Sequence, residues 1–141
     1  MTDLHTKELI SLFKNKGYKA TTQRLAICKF ILSRKDHPTA EEIYHKLKKE
    51  YPSISLATIY KTLHVLRELG LIQELGFVEG SSRYDPNTDL HINMICINCQ
   101  QIRDFKPENL DDIWEQVISQ LKTKPKGQRI DIYYDCSECK K

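Results

Sequence analysis

The chain has 141 residues, enough for one ordinary domain or two small ones. Its 40% hydrophobic and 29% charged residues fit a soluble globular protein and exclude a disordered one. The net charge of +3 is unevenly spread: residues 1–83 carry 14 Lys/Arg against 9 Asp/Glu, a net of +5, and residues 84–141 carry 8 against 10, a net of −2. A basic first half makes nucleic acid a natural candidate partner, set against chance asymmetry between two solvated surfaces.

The first half reads helical. Thr6 to Lys16 places Leu9, Ile10, Leu12 and Phe13 on one face, and Gly17 stops it. Thr21 opens a second helix whose apolar set is Leu25, Ile27, Cys28, Ile31 and Leu32, interrupted by His37-Pro38. Thr39 and Glu42 form a capping box for a third helix through Ile43, Tyr44 and Leu47, which Pro52 ends. Ser55 caps a fourth, Leu56 to Leu69, which Gly70 closes. Leu71–Leu75 and Ser82–Asp85 then read as a hairpin around Gly76 and Gly80.

Helices followed by a β-hairpin are the layout of a winged helix, in which one helix enters the DNA major groove. The fourth helix fits that role. Leu56, Ile59, Leu63 and Leu66 share one face, with Ala57, Thr58, Lys61 and His64 opposite and Tyr60 at the edge. An ordinary amphipathic surface helix has the same periodicity. The expected DNA contacts are Lys14, Lys16, Lys19 and Arg24 on phosphates, and Ser55, Ala57, Thr58, Tyr60, Lys61 and His64 on bases or backbone.

The second half changes character. Ile92–Ile95 and Gln101–Phe105 read as strands, Leu110–Leu121 as a helix and Arg129–Tyr134 as a last strand, a β–β–α–β order. The helix carries Leu110, Ile113, Trp114, Val117, Ile118 and Leu121 as its apolar residues. The predicted class is α+β: a winged-helix DNA-binding domain over 1–83, a hinge over 84–91 and a small α/β dimerisation domain over 92–141.

No apolar run approaches the ~20 residues of a membrane span. Met1 to His5 has neither the basic patch nor the apolar stretch of a signal peptide, so a cytoplasmic chain with reduced thiols is expected. Two Cys-x-x-Cys pairs, Cys96/Cys99 and Cys136/Cys139, stand 36 residues apart. Four thiolates satisfy tetrahedral zinc and leave no open position, which points to a structural Zn(II) site bracing the second half. An iron–sulfur cluster, a redox-active pair and free thiols are the alternatives. Cys28, in the apolar part of its helix, reads as a buried inert thiol.

His37, Asp85, His91, Asn93 and Asp104 each have a bland explanation, and no spacing rule gathers them. A resemblance does. Thr22-Gln23-Arg24, the run His37 to Tyr44, Ser55 to Tyr60, Leu69 to Ile72, Ser82 to Asp85, His91 and both cysteine pairs together resemble the ferric uptake regulator family over about Gly17 to Cys139. The closest branch is the peroxide-sensing one. The resemblance implies a homodimeric, metal-dependent repressor that binds double-stranded DNA at a palindromic operator. It implies a regulatory Fe(II) or Mn(II) at His37, Asp85, His91, Asn93 and Asp104, with His37 in the DNA-binding half and the other four in the hinge and dimerisation half.

Two features favour the peroxide branch by resemblance. Asp104 stands where iron-uptake regulators usually have Glu. Asp89-Leu90 and Gln128-Arg129 lack the histidines of a further site common in those regulators. In the peroxide branch, peroxide meeting bound Fe(II) oxidises a ligand histidine, and His37 and His91 match those positions. Asn93 departs from the pattern, which has His there. Its neutral carbonyl oxygen is a weaker donor for Fe(II), so weaker binding, a preference for Mn(II) or recruitment of another ligand is expected.

An iron-responsive regulator is the alternative reading. A zinc-stabilised interaction module without DNA binding fits the basic half less well. A zinc enzyme needs an open coordination position and a general base, as in His-x-Glu with Pro-Cys-x-x-Cys, and neither motif is present. No small-molecule substrate is expected.

Overall fold

The computed structural model describes residues 5–77 and 80–139. The N-terminal reading over residues 1–4 lies outside the described residues. The chain parts into two compact units, residues 1–88 and 89–141.

The first unit contains four helices, α1 (Thr6–Asn15), α2 (Thr22–Leu32), α3 (Ala40–Leu47) and α4 (Leu56–Glu68). They are followed by a hairpin of β1 (Gln73–Leu75) and β2 (Arg83–Asp85). The caps form as read from the sequence. Thr21 Oγ1 accepts the Arg24 N–H and Ser55 Oγ accepts the Thr58 N–H. Thr39 and Glu42 close a reciprocal capping box at 3.1 and 3.4 Å. Gly17 and Gly70, at φ 83° and 74°, end α1 and α4 in the left-handed region that favours glycine. Thr39→Ala is expected to cost ~1 kcal/mol of first-unit stability; a urea unfolding midpoint equal to wild type would show that the box is idle.

Leu9, Phe13, Ile27, Ile31, Ile43, Ile59, Leu63 and Leu66 form a closed core between these helices. Each such side chain contributes about 1.5–3 kcal/mol of burial free energy. Cys28 lies in the same core, where burial pushes its thiol up to about 12 and keeps it protonated. Leu56 is half-buried against this core, and Thr62 and Val65 of α4 are buried beside the expected set.

In the second unit, β3 (Ile92–Cys96) is the central strand of a three-stranded sheet. It runs antiparallel to β4 (Ile102–Phe105) and parallel to β5 (Ile130–Tyr134), with α5 (Leu110–Gln120) in the crossover. Parallel strands need such a long connection. One stripe of α5 is covered: Leu110 is buried, and Trp114 and Ile118 are half-buried. The other stripe, Ile113, Val117 and Leu121, is exposed, as are Ile132 and Tyr133 of β5. Among the described residues no helix is long and apolar enough to cross a membrane.

Candidate metal centres and nucleic-acid face

The parallel pairing of β3 with β5 assembles the cysteines. Cys96 is opposite Tyr134, so the two Cys-x-x-Cys segments leave the sheet from the same end. The first makes a tight turn: Gln100 N–H donates to the Cys96 carbonyl at 2.9 Å, and Gln100 takes φ 63°. The two segments are tied directly as well. Ile97 N–H donates to the Tyr134 carbonyl at 2.9 Å, and Asn98 Nδ2 to Asp135 Oδ1 at 2.7 Å.

The sulfurs of Cys96 and Cys139 lie 3.6 Å apart, those of Cys99 and Cys136 3.6 Å, and those of Cys136 and Cys139 3.2 Å. None of the five cysteines is in a disulfide. Sulfurs at the corners of a tetrahedron with Zn–S of about 2.3 Å stand about 3.8 Å apart. The four thiols therefore fit one Zn(II) with little movement, and a closed set of four sulfurs fits a structural role. The set is also electrostatically incomplete by itself. Hydrogen bonds from the backbone of Cys99 and Cys136 hold the Cys96 thiol down to about 5, while contact with Cys136 pushes Cys139 up to about 12. A dication lets all four ionise together.

Of the five residues of the second constellation, His37 and Asp85 belong to the first unit and His91, Asn93 and Asp104 to the second. In the first unit, an isolated bridge between Thr39 and Arg83 lays the segment before α3 along β2. Tyr84 N–H donates to the Pro38 carbonyl at 3.0 Å, and Arg83 Nη1 to the His37 carbonyl at 3.3 Å. This brings residues 48 apart together: His37 Nε2 lies 3.2 Å from Asp85 Oδ2. His37 takes φ 53°, an uncommon conformation for a residue with a Cβ. Asp85 ends β2 and so accompanies His37, where the sequence reading placed it in the hinge.

In the second unit, His91, Asn93 and Asp104 converge. His91 and Asn93 alternate with Ile92 and share a face, and Asn93 is the register partner of Asp104. His91 Nδ1 donates to the Asp89 carbonyl at 2.7 Å. Its Nε2 lies 3.0 Å from Asn93 Oδ1 and 3.5 Å from Asp104 Oδ1. With Nδ1 carrying the proton of a neutral ring, Nε2 and the two oxygens are all acceptors. Neutral nitrogen with carboxylate and amide oxygen is the donor chemistry of Fe(II) or Mn(II). His37, Asp85, His91 and Asn93 are 1%, 2%, 6% and 2% exposed, far from the usual state of such polar side chains.

Of the predicted DNA contacts, Lys19, Arg24, Thr58 and Lys61 line one open groove between the start of α2 and α4. Arg24, Tyr60, Lys61 and His64 line a second beside it. Lys14 and Lys16 are exposed around the end of α1 and line neither groove. Ala57 is exposed, and Ser55 uses its hydroxyl to cap α4. Tyr60 donates to Glu41 Oε1 at 2.8 Å, and His64 contacts Glu68 at 3.1 Å. Asp131 and Arg129 also join the group around His91 and Asn93, with no local sequence signal of it. Asp131 is the β5 register partner of Asn93, which only the strand order reveals.

A cluster of four cysteine sulfurs, together with buried His, Asp and Asn donors, is the side-chain chemistry of a metal-binding protein. The ferric uptake regulator family model matches residues 15–133, and the chain belongs to that family. It is a regulator and not an enzyme. It is 38% identical over 138 residues to the peroxide-responsive repressor PerR of Staphylococcus epidermidis, covering 98% of this chain and 92% of that protein. It is 38% identical over 135 residues to the peroxide operon regulator of Bacillus subtilis, covering 96% and 93%. The fold is similar to the Campylobacter jejuni peroxide stress regulator, with a TM-score of 0.74 at 33% identity over 96% of this chain and all of that one.

Proposed function

We propose that the protein is a metal-dependent transcription repressor that senses peroxide, working in the cytoplasm as a homodimer on a palindromic DNA operator. The first unit is the winged-helix DNA-binding domain and the second the dimerisation domain. The observation that carries the metal reading is the pre-assembly of donors in each unit, His37 with Asp85 and His91 with Asn93 and Asp104.

Fe(II) or Mn(II) held by these donors would supply the metal dependence of DNA binding. Metal loading then shifts the population toward the DNA-binding arrangement. The groove lined by Lys19, Arg24, Thr58 and Lys61 supplies phosphate and base contacts at α4. The exposed apolar stripe of Ile113, Val117 and Leu121, with Ile132 and Tyr133, supplies a surface for a second copy of the chain. The net of +5 over residues 1–83 favours DNA over a protein-only partner.

Bound Fe(II) supplies the reducing electron that activates peroxide beside its ligands. His37 and His91 are the chain's own targets, because both rings hold Nε2 against the other donors. Mass spectrometry of iron-loaded protein after peroxide is expected to show one added oxygen on a peptide containing His37 or His91. Unmodified histidines with undiminished DNA binding would exclude peroxide sensing and leave the iron-responsive reading.

A further inference from the structure

We propose that Asp131, clamped by Arg129, is a positioning residue that turns the Asn93 side-chain oxygen toward His91 and makes Asn93 an oxygen donor to the regulatory metal. The inference rests on the metal-site reading above. It assigns a role to two residues outside the five-residue set.

Asp104, Asn93 and Asp131 form a row across the sheet, since Asn93 is the register partner of both acids. Arg129 grips Asp131 as a fork, with Nε to Oδ1 at 3.1 Å and Nη2 to Oδ2 at 2.9 Å. The Tyr133 hydroxyl also donates to Oδ2, at 3.4 Å. Asp131 Oδ1 in turn accepts Asn93 Nδ2 at 3.1 Å. A carboxylate is acceptor-only, so it selects the NH₂ end of the amide. The other end, Oδ1, is thereby left facing His91 Nε2 at 3.0 Å.

The opposite amide orientation is disfavoured twice. It sets Oδ1 against the Asp131 carboxylate, and it aims an N–H pair at the place where the metal's positive charge belongs. A hydrogen bond to a charged group favours one orientation by on the order of 10- to 100-fold. A plain surface ion pair between Arg129 and Asp131 needs no third partner. Here the pair is completed by an amide that is 2% exposed and itself contacts a candidate ligand. The arrangement also explains how Asn serves where the family pattern has His. An amide offers a metal only one usable end, and Asp131 decides which end that is.

The test uses the zinc-loaded full-length chain, with free Mn(II) followed by electron paramagnetic resonance during titration. Asp131→Ala is expected to weaken Mn(II) binding by about 10- to 100-fold, the usual loss for a residue that orients a ligand. Zinc content and the thermal midpoint, read on the same samples, are expected to stay near wild type. The discriminating variant is Asp131→Ala combined with Asn93→Asp. A carboxylate presents oxygen whichever way it turns, so this double variant is expected to regain most of the lost affinity at unchanged net charge. Wild-type affinity in Asp131→Ala, or no recovery in the double variant, would overturn the positioning role alone. Wild-type Mn(II) binding by His91→Ala would overturn the metal-site reading and the inference with it.

Discussion

Cys136→Ser is expected to abolish the stoichiometric zinc and, with it, the ordered second unit. Wild-type protein should carry one zinc per chain, and the variant none. Sedimentation should report a monomer, and the circular dichroism of the strands should be lost. The size of the effect follows from what zinc supplies. Structural zinc in small domains is worth about 10–16 kcal/mol at neutral pH, more than the 5–15 kcal/mol that holds a typical domain folded. The second unit has little else to fall back on. Its three strands bury Ile92, Ile95 and Ile102, while Phe105, Ile132 and Tyr133 remain exposed. Cys28→Ala is the control, because Cys28 is buried in the helical core and not among the four clustered sulfurs. It should leave zinc content unchanged. A dimeric, folded Cys136→Ser protein would show that the thiolate set is not a structural brace.

His91→Ala is expected to uncouple DNA binding from Fe(II) and Mn(II) while leaving zinc in place. In wild type, adding Mn(II) should tighten binding to a palindromic operator duplex by about 5- to 150-fold, the usual range for coupling between sites. In the variant that increment should vanish, so affinity with and without Mn(II) should coincide. The ring is the natural place to break the site. Its Nδ1 is committed to the Asp89 carbonyl, and its Nε2 meets both Asn93 and Asp104. Gel retardation at fixed ionic strength measures the outcome, since phosphate contacts make affinity fall steeply with salt. A full Mn(II) response in the variant would assign regulation to another site.

Local chemistry was legible in the chain. Thr39 and Glu42 state a capping box whatever surrounds them, and the structure closes it. Ser55, Gly17 and Gly70 bound their helices for equally local reasons. The two Cys-x-x-Cys pairs were legible as one four-sulfur set, and the structure brings the four sulfurs together. Asp85 and Asp131 were not legible in the same way. Asp85 meets His37 because Thr39 bridges Arg83, a pairing that periodicity does not specify. Asp131 reaches Asn93 because β5 runs parallel to β3, and an alternating strand gives no sign of its neighbour. The left-handed backbone at His37 is likewise set by its surroundings, since a histidine before proline has no intrinsic reason to adopt φ 53°.

The parallel partnership of β3 and β5 also governs the order in which the molecule assembles. Its register joins Ile92 to Ile130 and Cys96 to Tyr134, positions 38 residues apart. Contacts so distant along the chain form late, because loop-closure entropy is spent before any pairing is gained. Before β5 arrives, β3 has only β4 beside it, and its other backbone edge is the kind of surface through which chains associate wrongly. Zinc-free refolding is therefore expected to leave the β3–β5 pairing incomplete, which amide hydrogen exchange at Ile92–Cys96 would report.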